Sequence, residues 1–182
     1  MKLAYIMSQA RGETDPRLAA VARHLMLRGV RLCGTIQVNT ERGDGRHCDM
    51  DLMVLPDGPA LRISQDRGKW ARGCRLDAGS LELAVAQVAS ALDVGADLMI
   101  INKFGKHEAE GRGFRTVIGA ALDIGVPVLV GLNPLNREAF DKFAGGLATE
   151  LDAELCSILQ WADLPLSNKT HSTAEFQLTD HL

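Results

Sequence analysis

The sequence predicts an α/β protein of three layers, with a mainly parallel sheet between helices. Short apolar segments alternate along the chain with amphipathic segments of helical period. Such an alternation is typical of strand–helix–strand units, which join by right-handed crossovers and form parallel sheets. The chain has 182 residues, of which 46% are hydrophobic, and this is enough for one well-filled core.

The first third of the chain shows how the elements are ordered. Leu3–Met7 is a short apolar strand, and Asp15-Pro16 predicts a helix start with Asp15 as the N-cap. Residues 30–38 form the second predicted strand. A β-hairpin at about residues 50–65, with a Pro-Asp-Gly turn, is predicted as an insertion that interrupts the alternation.

The rest of the chain returns to the alternation of strands and helices. Further strands are predicted at residues 96–101, 126–131 and 147–151, and further helices at residues 77–93, 114–125, 136–143 and, capped by Asp152, up to 161. Residues 102–113 are predicted as a loop. We expect one α/β domain over residues 1–163 and a mobile tail over residues 164–182, because the tail is polar and lacks hydrophobic period.

Charge and composition limit the classes of function. The formal net charge of −3 argues against a general nucleic-acid-binding protein but leaves room for a local basic site. No segment approaches the roughly 20 apolar residues that span a bilayer, and the first apolar run is too short for a signal sequence. The four cysteines form no Cys-x-x-Cys pair, which favours a reducing compartment. We therefore expect a cytoplasmic protein with neither a membrane nor a nucleic acid as partner.

The loop between the first strand and the first helix is a candidate anion site. A helix N-terminus that follows a strand presents free backbone N–H groups to an anion. This loop has one glycine and no lysine, so it lacks the Gly-x-x-x-x-Gly-Lys-Ser/Thr motif that holds nucleotide phosphates. We predict Arg11, Gly12 and Thr14 as ligand-binding residues; a plain strand–helix connection is the alternative.

The densest group of charged residues in the chain follows the buried strand at residues 96–101. Ligands of open α/β sheets bind at the carboxyl ends of the strands. The residues predicted to bind a ligand here are Asn102, Lys103, Gly105, Lys106 and Arg112. If the protein is an enzyme, Lys103 or Lys106 with Glu108 or His107 are weak candidates for acid and base. A solvated polar loop is the alternative.

The cysteines in polar segments are candidates for a reactive thiol or a metal site. Arg75 follows Cys74 and could lower the pKa of its thiol, which makes Cys74 a weak catalytic candidate and Arg75 a candidate anion ligand. His47, Cys48 and Cys74, with Asp49, could together ligate a soft or borderline metal ion. Their spacing is not diagnostic, and ordinary loop thiols are the alternative.

Part of the sequence resembles the cancer-related nucleoside-triphosphatase family of P-loop proteins. The residues that carry the resemblance are Leu98–Lys106, Gly113-Phe114-Arg115 and Val126–Val130. The resemblance covers about residues 2–145 and implies a P-loop NTPase-like fold. It places the family's Walker A lysine near Asp15 and its Walker B acids on Asn102-Lys103. It therefore implies that the magnesium ligand and the water-orienting acid are missing, so nucleoside triphosphatase activity is not expected.

A second set of motifs resembles an uncharacterised bacterial domain family of unknown function. The motifs are Gln37, Ile63-Ser64-Gln65, Cys74-Arg75-Leu76-Asp77, Asn102–Lys106 with Glu108, Gly111 and Gly113, and Phe143–Gly146. The resemblance adds Gln37, Ser64 and Gln65 to the predicted ligand-binding residues. Members of this family are often encoded near genes for molybdate uptake or molybdenum enzymes. It thus implies molybdate or a phosphorylated compound as ligand, or a molybdenum-related protein as partner.

Three functions remain open on the sequence. The favoured one is a non-hydrolysing P-loop-like protein that binds an oxyanion or a phosphorylated, nucleotide-like ligand, with a link to molybdenum metabolism. The second is an enzyme, with residual triphosphatase activity or an unknown reaction that uses Lys103 or Cys74. The third is an interaction partner of a molybdenum enzyme or transporter. A homo-oligomer is compatible with each of them.

Overall fold

A computed structural model describes residues 1–8, 10, 12–43, 48–66 and 75–164 of the chain. The strands are β1 (Leu3–Met7), β2 (Leu32–Thr40), β3 (Asp49–Leu55), β4 (Ala60–Arg62), β5 (Leu98–Phe104), β6 (Val128–Leu132) and β7 (Ala148–Glu150). The helices are α1 (Thr14–Leu27), α2 (Ala78–Val94), α3 (Lys106–Ala109), α4 (Arg115–Asp123), α5 (Arg137–Ala144) and α6 (Leu155–Ala162), with a 3-10 turn at Pro134–Asn136. None of the helices in the described ranges is both long and apolar enough to cross a bilayer.

The seven strands form one sheet in the order β4-β3-β2-β5-β6-β1-β7. The strands from β2 to β7 in that order pair in parallel. Strands β3 and β4 are the predicted hairpin, and β3 pairs antiparallel with β2. The hairpin thus extends the main sheet at one edge, and both edge strands, β4 and β7, are only three residues long. The predicted α/β class with a mainly parallel sheet is confirmed.

Helices cover both faces of the sheet, because alternate side chains of each central strand point to opposite faces. Leu3 and Tyr5 of β1 pack into a core cluster with residues of α2, α4 and α5. Ala4 and Ile6 of the same strand pack into a second cluster with residues of α1 and α6. The predicted three layers are therefore present. The division into a domain of residues 1–163 and a tail stays a prediction, since residues 165–182 lie outside the described residues.

Two predicted helix caps are wrong. Helix α1 begins at Thr14 with Glu13 as the cap residue, and Asp15 lies inside the first turn. Asp15 is buried there and its carboxylate is bonded by side chains from the sheet, so it is not available as a cap. The cap residue of α6 is Glu154 rather than Asp152.

Strand β5 extends further than the sequence predicts. It continues to Phe104, so Asn102 and Lys103 belong to the strand end and not to a loop, and residues 106–109 form a short helix. The register with β6 shifts between Ile101 and Phe104, and both of these side chains lie in the same core cluster. Asn102 is consequently buried, whereas Lys103 is exposed.

Two glycines let the backbones of neighbouring strands approach closely. A Cβ atom at Gly34, which has φ of +113°, would overlap the carbonyl group of Ile100. A Cβ atom at Gly131 would overlap the carbonyl oxygen of Asn102. Glycine is required at such close approaches because any side chain would separate the strands. These contacts fix the position of the carboxyl end of β5.

Candidate ligand-binding site

A cluster of one carboxylate and three amides, buried except for Asn39, lies at the carboxyl ends of β2 and β5. Asp15 Oδ1 accepts a hydrogen bond from Asn102 Nδ2 at 3.1 Å. Asp15 Oδ2 accepts from Gln37 Nε2 at 3.2 Å and from Asn39 Nδ2 at 2.9 Å. The Gln37 backbone N–H donates to Asn102 Oδ1 at 2.9 Å. This amide–carboxylate cluster joins α1 to the two strands, and its hydrogen bonds occupy both oxygens of Asp15.

A cavity of about 410 Å³ lies beside this cluster, between the hairpin, α2 and the segment from β5 to α4. Its apolar walls are formed by Met50, Leu52, Ile63, Leu76, Leu81 and Phe114. Thr35 and Gln37 of β2, together with residues of the segment 102–112, line the rest. We call this space the apolar cavity.

Two buried polar atoms of residues that line the apolar cavity have no hydrogen-bond partner among the described residues. They are the hydroxyl of Thr35 and Nδ1 of His107. Thr35 is 0% exposed and lies in β2 two residues before Gln37. Buried polar atoms of native proteins are almost always hydrogen-bonded, so these two atoms mark a place where a partner is missing.

A second cavity, of about 640 Å³, lies between the β1–α1 connection and the segment after β6. Its described lining residues include Ser8, Ala10, Gly12, Thr14, Asn133 and Pro134. We call it the loop cavity. Gly12 and Thr14, which the sequence predicts as ligand-binding residues, lie on its wall, and Arg11 lies outside the described residues.

Asn102 and Lys103 line both cavities. The side chain of Asn102 is held in the amide–carboxylate cluster. Lys103 is exposed and has no hydrogen bond or ion pair with any other described residue. The end of β5 therefore places Lys103, which pairs with no described residue, at the wall that the two cavities share.

The other two predicted cations of this segment, Lys106 and Arg112, both form ion pairs with Glu110. Glu110 forms ion pairs with Arg112 and, at 3.6 Å, with Lys106. The hydrogen bond from Arg112 holds the pKa of Glu110 below its usual value. All three side chains line the apolar cavity and are substantially exposed. Lys106 and Arg112 thus reach the cavity with their charge already partly neutralised.

Glu108 is buried and organises the segment between β5 and α4. Its Oε2 accepts from the Gly105 backbone N–H at 2.8 Å and its Oε1 from the Phe114 backbone N–H at 3.1 Å. Gly113 has φ of +57°, and a Cβ atom there would overlap Oε1 of Glu108. Both carboxylate oxygens are therefore used to close this segment, although Glu108 also lines the apolar cavity.

Three of the predicted ligand-binding residues connect the hairpin to the start of α2. The Ser64 hydroxyl accepts from the Met50 backbone N–H at 3.0 Å. Gln65 Nε2 donates to Asp77 at 3.0 Å, and Arg75 donates to the Cys48 carbonyl at 2.6 Å. None of the three is among the residues that line the two cavities. Their role as ligand-binding residues stays a prediction. In the structure their hydrogen bonds connect the hairpin to the start of α2.

The predicted metal site and reactive thiol are only partly described. His47 and Cys74 lie outside the described residues, so both hypotheses stay predictions. Among the described residues, no group of three or more His, Cys, Asp or Glu side chains could hold a metal ion. Asp49 forms ion pairs with Arg42 and Arg62.

Several residues of the apolar cavity were not predicted from the sequence. Thr35 and the apolar walls carry no motif that indicates a ligand. The one available signal is the polar Thr35 inside the buried segment Leu32–Ile36, where a polar side chain requires a partner. The burial of Asp15 also has no sequence signal, because its partners come from β2 and β5.

The chain is similar to two solved structures over most of its length. One is the solution structure of a human cancer-related nucleoside triphosphatase, with a TM-score of 0.55, 18% identity, and coverage of 84% of this chain and 88% of that one. The other is the crystal structure of THEP1 from the hyperthermophile Aquifex aeolicus, with a TM-score of 0.57, 17% identity, and coverage of 84% and 90%. At such identities the similarity shows the fold alone, and it confirms the P-loop NTPase-like fold.

Sequence comparison gives a curated relative and a family. The relative is the molybdenum import ATP-binding protein ModC 2 of Bradyrhizobium diazoefficiens, 37% identical over 160 residues. The match covers 88% of this chain but only 18% of that protein's length. A family model described as "Protein of unknown function (DUF2478)" matches residues 3–161, and the chain therefore belongs to this family.

Proposed function

We propose that this chain binds an oxyanion or a phosphorylated, nucleotide-like ligand at the carboxyl end of its sheet and does not hydrolyse a triphosphate. The observation that carries the proposal is the position of Lys103. Lys103 is exposed, has no hydrogen bond or ion pair with another described residue, and is among the residues that line both cavities. A cation in this position can pair with an anion at low cost, because no existing ion pair has to break.

The loop cavity supplies further groups for an anion. Helix α1 has 14 residues, and its first residue, Thr14, lies on the cavity wall. The N-terminus of a helix carries a partial positive charge and unsatisfied backbone N–H groups, which favour a negative ligand. Lys103 and the start of α1 thus line the same space, together with Asp15 of the first turn.

The described residues at this end of the sheet do not fit the chemistry of magnesium-dependent triphosphate hydrolysis. Magnesium needs oxygen ligands, usually from carboxylates together with phosphate and water. Asp15 is the acid among the described residues that line the loop cavity, and hydrogen bonds from three side-chain amides occupy its oxygens. An amide and an ammonium, Asn102 and Lys103, stand at the end of β5. This arrangement favours holding an anion over hydrolysing one.

Molybdate is the first oxyanion to test. The relative that matches 88% of this chain is named as a molybdenum import protein. The chain spans less than a fifth of that relative's length, so the link to molybdenum is part of the proposal. A tetrahedral oxyanion and a phosphate group offer the same charge and hydrogen-bond acceptors to Lys103.

Calorimetric titration of the full chain with molybdate, tungstate, sulfate, phosphate and AMP tests the proposal. We expect saturable binding of at least one of these anions and at least tenfold weaker binding to Lys103→Gln. Lys142→Gln is the matched control, because it removes an exposed lysine of α5 that lines neither cavity. Absence of binding by every anion, or equal weakening in both variants, would overturn the proposal.

The proposal that the chain does not hydrolyse a triphosphate is tested by a separate assay. Incubation with ATP and magnesium should release phosphate no faster than the buffer alone. A release rate above that background which is lost in Lys103→Gln would contradict it and would favour the alternative of an enzyme.

The second candidate function is a protein-interaction module of a molybdenum transporter. The observation that favours it is that the match makes up only 18% of a longer molybdenum import protein. Co-purification of the chain with a molybdenum transporter, together with no response to any of the anions above, would favour this function.

A further inference from the structure

We infer that the apolar cavity is the second half of the ligand site and takes the ring of an organic anion whose charged group reaches Lys103. The inference rests on the proposed anion binding and names the class of ligand. That class is an aromatic or otherwise planar ring, with one hydrogen-bonding edge, joined directly to a phosphate or carboxylate group.

The walls of the cavity select for an apolar body. Six apolar side chains line it, and they come from β3, the residue after β4, the segment before α2, α2 itself and the residue before α4. A volume of about 410 Å³ lies within the usual range for small-molecule sites, about 300–1,000 Å³. An inorganic oxyanion has no apolar surface to place against Leu52, Ile63 or Leu81, so it would leave this part of the cavity unused.

The unpartnered polar atoms select for a hydrogen-bonding edge. The Thr35 hydroxyl can donate or accept, and so can His107 Nδ1, according to its tautomer. Neither atom has a partner among the described residues, and Thr35 is fully buried. A ring with a nitrogen or oxygen atom in its outline would satisfy one or both of them. A purely hydrocarbon ring would fit the walls and leave them unsatisfied.

The charges around the cavity select for one negative group at its rim. Five charged side chains and a histidine line it, namely Lys103, Lys106, His107, Glu108, Glu110 and Arg112. Glu110 is paired with Arg112 and Lys106, and Glu108 accepts two backbone N–H bonds. Of these five charged side chains, Lys103 is the one that pairs with no described residue. Because Lys103 lines the same cavity as the apolar residues, the proposed ligand carries its anionic group directly on the ring.

A set of three probes tests the inference on the full chain by calorimetric titration. 1-Naphthyl phosphate carries ring and anion, inorganic phosphate the anion alone, and 1-naphthol the ring alone. We expect 1-naphthyl phosphate to bind with a Kd at least tenfold lower than either of the others. AMP separates ring and phosphate by a sugar and should bind more weakly than 1-naphthyl phosphate. Tighter binding of AMP would overturn the direct linkage.

A cavity-filling variant tests where the ring binds. Met50→Trp places a large side chain in the apolar cavity and should remove the tenfold advantage of 1-naphthyl phosphate. Leu83→Trp is the control, because Leu83 is a half-exposed residue of α2 outside both cavities. An undiminished advantage in a folded Met50→Trp variant would overturn the inference.

A measurement on the unmodified chain does not depend on how that variant folds. Methyl NMR should show intermolecular NOEs from the naphthyl ring protons to Leu52, Ile63 and Leu81. Their absence in the saturated complex, or NOEs only to methyl groups elsewhere, would also overturn it.

The hydrogen-bonding edge is tested with a matched pair of rings. 5-Quinolyl phosphate has the outline of 1-naphthyl phosphate, with one ring nitrogen on the edge away from the phosphate, and should bind at least threefold more tightly. Thr35→Val should abolish this preference and retain the binding of 1-naphthyl phosphate. A preference that is absent in the unmodified chain, or unchanged in Thr35→Val, would contradict the role of Thr35.

Failure of this inference and failure of the proposed function give different results. If inorganic phosphate binds through Lys103 and 1-naphthyl phosphate binds no better, only the inference fails. If Lys103→Gln weakens neither phosphate nor 1-naphthyl phosphate, the proposed anion site at Lys103 fails as well.

Discussion

Asn102 and Lys103 are adjacent in β5, and yet they belong to two different kinds of environment. Asn102 is buried, and its amide is bonded to Asp15 and to the backbone of Gln37. Lys103 is exposed, and no described residue pairs with it. The hydrogen bonds of the amide–carboxylate cluster hold the fold, whereas Lys103, the Thr35 hydroxyl and His107 Nδ1 have no partner among the described residues. The strand end is thus divided into a structural part and a part that is open to a ligand.

Asn102→Leu should produce the largest effect and tests the structural part. It removes the donor to Asp15 Oδ1 and the acceptor of the Gln37 N–H, and leaves a buried carboxylate with fewer partners. We expect the free energy of unfolding to fall by about 3 kcal/mol. Urea denaturation measures it, and Lys103→Gln, at the next residue, should unfold at the same urea concentration as the unmodified chain. An equal loss of unfolding free energy in the two variants would contradict the division between a structural Asn102 and a ligand-facing Lys103.

Glu108→Gln tests whether the hydrogen bonds of Glu108 stabilise the fold, as those of Asn102 do. The amide keeps one oxygen for the two backbone N–H groups that the carboxylate now accepts. We expect a loss of about 2 kcal/mol in the free energy of unfolding, with faster amide exchange at Gly105 and Phe114. Glu110→Gln, on the exposed side of the same segment, serves as control and should leave both readouts unchanged. Intact stability of Glu108→Gln would reopen Glu108 as a catalytic candidate.

Thr35→Val should change stability in the opposite direction. The hydroxyl of Thr35 is buried without a partner among the described residues, and valine replaces it with a methyl group of similar shape. We expect the free energy of unfolding of the unliganded chain to rise by about 1 kcal/mol. Thr35→Ser keeps the hydroxyl and should give no gain. Destabilisation by valine would mean that the hydroxyl is already satisfied.

Glu110→Gln should have the smallest effect of these substitutions. It tests whether Lys106 and Arg112 contribute to ligand binding. It removes the carboxylate that pairs with Arg112 and Lys106, so both cations become free to face the apolar cavity. We expect about two- to threefold tighter binding of inorganic phosphate, in line with the modest strength of exposed ion pairs. The same titration in high salt should reduce the gain, since exposed charges are screened. Unchanged or weaker binding would mean that these cations do not face the ligand.

The sequence predicts the fold better than the site, and particular residues explain why. The order of strands and helices follows from local patterns, such as the apolar run Leu3–Met7 and the helix end at Gly95. The cap assigned to Asp15 is wrong because a local rule cannot detect that Gln37, Asn39 and Asn102 surround this carboxylate in space. The extension of β5 to Phe104 is missed for a similar reason. Lys103 is polar, and its place in the strand depends on pairing with β6.

The site shows the same division between local and long-range information. Lys103, Lys106 and Arg112 are predicted because charge density after a buried strand is visible in the sequence. The apolar cavity is not predicted, since its walls come from separate elements that only the folded chain brings together. The pairing of Arg112 and Lys106 with Glu110, which distinguishes them from Lys103, also depends on side-chain geometry. Arg11, His47 and Cys74 lie outside the described residues and stay predictions.

The two edges of the sheet bear on how copies of this chain can associate. Each edge strand has only three residues, and charged side chains flank both. Arg62 of β4 is paired with Asp49 and Asp51, and Glu150 of β7 is paired with Arg137. Short, charged edges discourage the strand-to-strand joining that leads to fibrils and continuous intermolecular sheets. The two edges of this sheet are therefore poor surfaces for joining one copy of the chain to another.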